Sequence, residues 1–119
     1  MTLANHSALF DTIPPTTHEY FSEEGCFLKF CDEVRKYTKL PICGVGGLSS
    51  PGFVEAQLKN ARIEFAAMSR QLIADPEWVS KTISGQEKTI KKCIRCNTKC
   101  LDGMSQHQGA HCIYDEEER

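Results

Sequence analysis

Cys93, Cys96 and Cys100 share one eight-residue stretch, Cys93-Ile-Arg-Cys-Asn-Thr-Lys-Cys100, and Cys112 follows after eleven more residues. This C-x2-C-x3-C-x11-C spacing lets one loop deliver three thiolates to a common centre while a returning segment supplies the fourth. The last quarter of the chain is therefore expected to be organised around a bound group rather than an apolar stripe. Two chemistries use four thiolates, a [4Fe–4S] cluster and a structural zinc. Zinc sites more often pair two C-x2-C units, and the second such pair is absent here. Lys91, Lys92, Arg95 and Lys99 flank the first three cysteines. They would offset the negative charge of a cluster, although a basic loop is also an ordinary solvated face.

Seven cysteines in 119 residues is a high and odd count. In a reducing compartment clustered cysteines point to metal or redox work rather than disulfides. Met1 to Phe10 has no basic residue ahead of an apolar run, so no secretory signal is expected. No stretch approaches the ~18 apolar residues of a membrane span. The expectation is a cytoplasmic protein that does not engage membrane. The net charge of −2 gives no electrostatic case for nucleic-acid binding.

Residues 1–24 read as irregular, because Pro14-Pro15 cannot continue a helix. Phe27, Phe30, Cys31 and Val34 then fall at i, i+3, i+4 and i+7, one apolar helical stripe. Glu23 and Glu24 precede it and Arg35, Lys36 and Lys39 lie towards its end, matching the helix dipole, and Pro41 is expected to stop it. Pro41-Ile-Cys-Gly-Val45 is too short for a helix and suits a buried strand ending in Gly46-Gly47. Ser50, as an N-cap before Pro51, opens a helix to about Asn60. Ile63 to Met68 fits a second strand. Asp75-Pro76-Glu77-Trp78 repeats the cap-then-proline opening, and Gly85 is placed to end that helix. Trp78 reads as packing. The acidic tail from Asp115 to Arg119 reads as solvated.

Helices alternating with strands apolar on both faces indicate parallel α/β architecture. Two strands cannot close a sheet, and a complete (β/α)8 barrel takes about 250 residues. The fold expected is a partial (β/α)8 TIM barrel, its last two strands with their helices, followed by a cysteine-rich segment. The boundary is placed between residues 1–87 and 88–119.

Cys93-Ile-Arg-Cys96-Asn97-x-x-Cys100-Leu101-Asp102 resembles the cluster-binding signature of the 2,4-dienoyl-CoA reductase branch of the old yellow enzyme flavoproteins. That branch includes 2-enoate reductases and bile-acid-inducible NADH:flavin oxidoreductases. Pro41-Ile-Cys-Gly-Val-Gly46-Gly47-Leu48 resembles the family's seventh barrel strand. Met68-Ser69-Arg70 through Ala74-Asp75-Pro76-Glu77-Trp78 resembles the eighth strand and the helix after it. The match is colinear over nearly the whole chain. It implies a 4Fe-4S cluster on Cys93, Cys96, Cys100 and Cys112, and FMN with its phosphate at Gly46, Gly47, Ser69 and Arg70. Physics agrees on the phosphate, since loops after the last two strands form the usual anion site of such barrels. His6, in His6-Ser7-Ala8 ahead of Ile13-Pro14-Pro15-Thr16, resembles the family's histidine that assists proton transfer near the flavin, although Ser7 stands where the family has Glu. His18, His107 and His111 read as surface or loop residues.

The resemblance implies reduction of activated C=C bonds, of enoate or dienoyl-CoA type, with NAD(P)H. Full-length relatives also carry FAD. Six further barrel strands are absent from this chain, and after Cys112 the residues Ile113-Tyr114-Asp115-Glu116 depart from the family's Asn-Pro element. The expectation is a fragment, inactive alone, with a second chain as one source of the missing strands. The alternatives are a stand-alone iron-sulfur electron-transfer module and a zinc-stabilised binding module.

Overall fold

The computed structural model describes residues 23–116. Helix α1 spans Leu28–Arg35, strand β1 Cys43–Val45, helix α2 Pro51–Lys59 and strand β2 Phe65–Ala67. Helix α3 follows over Arg70–Ala74, α4 over Trp78–Ile83 and α5 over Leu101–Ser105, with 3-10 turns at Glu87–Thr89 and Ile113–Glu116. No helix among these residues is long and apolar enough to cross a membrane.

The two strands pair in parallel, with Cys43 opposite Phe65, Gly44 opposite Ala66 and Val45 opposite Ala67. Parallel pairing requires a crossover, and α2 provides it. Leu28, Ile42, Leu48, Val54, Ile63 and Trp78 form the core, with Cys31, Phe53, Ala66, Met68 and Ile90 packed against it. Gly44 brings the sheet onto this core. A Cβ there would stand 2.7 Å from both Ile63 Cγ2 and Leu28 Cδ2, so only glycine admits both side chains. Cys43 is exposed and Phe65 is 61% exposed, so these partners lie where the core does not cover the sheet.

Two carboxylates join segments far apart in the chain. Glu64 accepts the Ile42 amide at 2.7 Å and the Arg35 guanidinium at 2.6 Å, which aligns the strand entries. Asp32 receives Arg62 Nε and Nη2 at 2.8 and 2.7 Å, tying α1 to the β2 approach, and this pairing holds the Asp32 carboxyl below its ordinary value.

Several expectations change in detail. Helix α1 ends at Arg35 rather than running to Pro41, because Lys36 and Tyr37 donate to carbonyls three residues back and tighten the last turn. Helix α2 starts at Pro51 as expected, yet the Ser50 hydroxyl makes no cap bond. Glu24 serves instead, accepting the Ser49 and Ser50 amides at 2.8 and 2.5 Å. Burial opposes ionisation of Glu24, but those amides outweigh it and hold its carboxyl below the ordinary value. Helix α3 lies between β2 and the Asp75 opening, where the sequence pattern placed no helix. Gly85 has φ +73° just past α4, the left-handed position a helix stop favours. Trp78 is core, and its indole N–H donates to the Ser49 carbonyl at 2.8 Å.

Candidate functional site

The strand register brings the two loops of interest together. Val45 pairs with Ala67, so Gly46-Gly47 and Met68-Ser69-Arg70 leave the same end of the sheet. Gly46 has φ +128° and Gly47 φ +65°, a backbone that side chains resist. Space adds a second constraint, since a Cβ on Gly46 would meet the Phe27 ring at 2.8 Å and one on Gly47 would meet the Arg95 guanidinium. Ser69 is exposed, and Arg70 opens α3.

The cysteine segment lies across this end, held by buried polar side chains. Gln71, 3% exposed, donates from Nε2 to the Lys91 carbonyl at 2.9 Å and accepts the Cys93 amide at 3.0 Å. Asp75, 2% exposed, accepts the Lys91 amide at 2.9 Å, the Glu77 amide at 3.0 Å and Lys81 Nζ at 2.7 Å. Burial opposes the Asp75 charge, yet Lys81 and the two amides together hold its carboxyl below the ordinary value. The Tyr114 hydroxyl donates to the Lys92 carbonyl at 3.0 Å, and Asp115 accepts the Cys112 amide at 2.9 Å. Asp115 is thus partly buried and bonded, where the sequence suggested a solvated tail.

Two arginines couple the segment to the strand ends. Arg70 Nη1 donates to Asn97 Oδ1 at 2.5 Å, and Arg95 Nη2 donates to the Gly47 carbonyl at 2.9 Å. Arg95 and Asn97 hold φ +58° and +59°, a left-handed backbone that costs non-glycine residues on the order of 1 kcal/mol each. Arg95 thus reaches the glycine turn and Asn97 reaches Arg70.

Cys93, Cys96, Cys100 and Cys112 line a single pocket, with Arg70 and His111 also on its wall. The pocket is about 20 Å³, room for about one water. Among the described residues no three His, Cys, Asp or Glu side chains converge as a formed metal site. The donor set nonetheless suits a thiophilic metal group, and amides turn towards sulfur. The Arg95 amide donates to Cys93 Sγ at 3.4 Å, and the Thr98 amide holds the Cys96 thiol below its usual range against partial burial. Burial pushes the Cys100 thiol up.

Of the residues singled out from sequence, Gly46, Gly47, Ser69 and Arg70 follow the paired strands at one end of the sheet, and the four cysteines share one pocket beside Arg70. His6 lies outside the described residues. Cys26, Cys31 and Cys43 are not on the pocket wall. Gln71, Asp75 and Asn97 carry structural roles that sequence reasoning missed. Asp75 was legible only as a cap, and a buried Gln has no periodic signature.

A family model of the NADH:flavin oxidoreductase / NADH oxidase family matches residues 2–89. A bilirubin reductase of Clostridium symbiosum is 63% identical over 114 residues, covering 96% of this chain and 31% of that protein. The chain therefore spans about a third of that relative. Among solved structures, the 6-hydroxypseudooxynicotine amine oxidase of Pseudomonas geniculata superposes with a TM-score of 0.69 at 32% identity, over 76% of this chain and 13% of that one. A 2-naphthoyl-CoA reductase in complex with 2-naphthoyl-CoA superposes with a TM-score of 0.67 at 28% identity, over 74% and 13%.

Proposed function

Because the chain belongs to the NADH:flavin oxidoreductase / NADH oxidase family, we propose that it forms the flavin-phosphate end and the cluster segment of a reductase acting on conjugated C=C bonds. The carrying observation is the bonding of the cysteine segment onto the two strand ends, through Arg70 to Asn97 and Arg95 to Gly47. In this reading β1 and β2 are the seventh and eighth strands of a TIM barrel, residues 1–87 belong to that barrel and residues 88–119 to the cluster segment. The remaining strands are contributed by further chain, in the same polypeptide or on a second one.

Gly46 and Gly47, which carry no side chain of their own, offer backbone amides to the FMN phosphate. Arg70 offers its planar fork of donors to phosphate oxygens, and the Ser69 hydroxyl adds a polar contact. Cys93, Cys96, Cys100 and Cys112 hold a 4Fe-4S cluster. When bound, the flavin supplies hydride chemistry and the cluster supplies one-electron transfer. His6 is the residue proposed to move a proton near the substrate, at an imidazole whose ordinary pKa of about 6.5 suits that task. Bilirubin is the first substrate to assay, since the Clostridium symbiosum bilirubin reductase is 63% identical. Cinnamate- and enoyl-CoA-type alkenes come next.

A structural zinc is the second reading, because four thiols lining one pocket are also a zinc donor set. Iron, acid-labile sulfide, zinc and FMN per chain, measured after anaerobic purification, separate the two. About four irons and four sulfides with bound FMN are expected. Zinc without sulfide would overturn the redox reading.

A further inference from the structure

Arg70, placed to meet the flavin phosphate, and Gly47, whose peptide forms the turn beside it, are each bonded to a residue of the cysteine loop. Asn97 Oδ1 takes the Arg70 guanidinium at 2.5 Å, and Arg95 holds the Gly47 carbonyl at 2.9 Å. Asn97 follows Cys96 directly and Arg95 precedes it, so both anchors lie inside the loop that carries three of the four thiols. Both also adopt left-handed backbone. Gln71 extends the link, because it bonds the Cys93 amide from the residue next to Arg70.

We infer that Arg95 and Asn97 are positioning residues that couple occupancy of the four cysteines to the affinity of the glycine turn and Arg70 for a phosphate monoester. Closing the thiolates on their metal group fixes the loop. The fixed loop sets the Arg70 fork through Asn97 and the Gly47 peptide through Arg95. Linkage makes the effect reciprocal, so a bound phosphate also tightens metal retention. This rests on the flavin and cluster reading above.

The test measures FMN and riboflavin dissociation constants by ultrafiltration, for the chain with its metal group and after chelation. The metal-loaded chain should bind FMN about tenfold more tightly than the metal-free chain, within the usual range of coupling between two sites. Riboflavin, which lacks the phosphate, should bind equally in both states. Asn97→Ala and Arg95→Ala should bring the FMN ratio close to one with metal content unchanged. Asn97→Asp keeps an acceptor for Arg70 and should restore the ratio, which a merely structural role for Asn97 does not predict. Equal FMN affinity in both states of the unsubstituted chain would overturn the coupling and leave the cofactor reading standing. So would a metal effect shared by riboflavin, or loss of metal from the alanine variants. An unsubstituted chain that takes up no metal or no FMN would overturn the cofactor reading and the coupling with it.

Discussion

The Arg70 guanidinium, first residue of the short helix after β2, donates to the side-chain oxygen of Asn97 in the cysteine loop at 2.5 Å. A cation at the end of the sheet is thereby held by the segment that carries the thiols. Arg70 also lines the thiol pocket, so its guanidinium lies beside the four cysteines.

Replacing Arg70 by alanine should therefore weaken FMN binding. A charge-assisted contact to phosphate contributes about 2 kcal/mol, which corresponds to a rise of roughly thirtyfold in Kd. Arg70→Lys should recover only part of this, since an ammonium cannot make the paired contact. Titration with FMN and, separately, riboflavin checks it. An equal loss for both ligands would place Arg70 away from the phosphate.

Asp75 should govern acid stability. Its carboxyl is buried against Lys81, which is 17% exposed at its side chain, and against two backbone amides, and its pKa lies below the ordinary aspartate value. A depressed folded-state pKa contributes stability that is fully present above the unfolded value of about 3.9 and lost as pH falls through the lower folded value. Asp75→Asn leaves Lys81 without its buried partner and should cost about 3 kcal/mol at pH 7. Urea midpoints at pH 7 and pH 3 test this, because the gap between the two proteins should narrow at pH 3. A gap that does not change with pH would mean the charge is not what Asp75 contributes.

How far the fold can be read from sequence depends on whether the deciding contact is local. Proline at position 51 sets the start of α2 by its own ring, and Gly85 stops α4 by its own φ. Ser50 misled because its hydroxyl accepts from Lys92 Nζ, 42 positions downstream, and its amide bonds Glu24, 26 positions upstream, which no short-range rule anticipates. Helix α3 has five residues, barely more than one turn, so its apolar period cannot be distinguished from a loop. The thiol spacing was legible because three of the four cysteines lie on one loop. The bonds from Gln71 to Cys93 and from Arg70 to Asn97 span 22 and 27 positions, and only the folded chain brings them together.

The seven cysteines should divide into two groups. Serine at Cys93, Cys96, Cys100 or Cys112 removes a pocket-lining thiol and should abolish most metal retention, because the remaining three thiolates leave a labile group. Serine at Cys31 or Cys43 should leave metal content unchanged, as neither lines that pocket. Metal and sulfide per chain across the series provide the measurement. Equal losses at Cys43 and Cys96 would sink the four-ligand assignment.

Gly103 controls how the fourth cysteine returns. It is buried in α5, and a Cβ built on it would collide with the backbone carbonyl oxygen of Gly109. That obstacle is main chain and cannot swing aside, so a side chain at 103 must displace the 109 peptide. Gly109 has φ +82° and sits three residues before Cys112, which turns the chain back towards the pocket. Gly103→Val should therefore lower metal retention several-fold. Helix and sheet content should change little, because the core cluster of Leu28, Ile63 and Trp78 lies on other elements. Far-ultraviolet circular dichroism beside metal analysis distinguishes the cases. Full metal retention would show that the 103–109 approach is dispensable for bringing Cys112 home, whereas loss of the helical signal would show that α5 supports the whole fold.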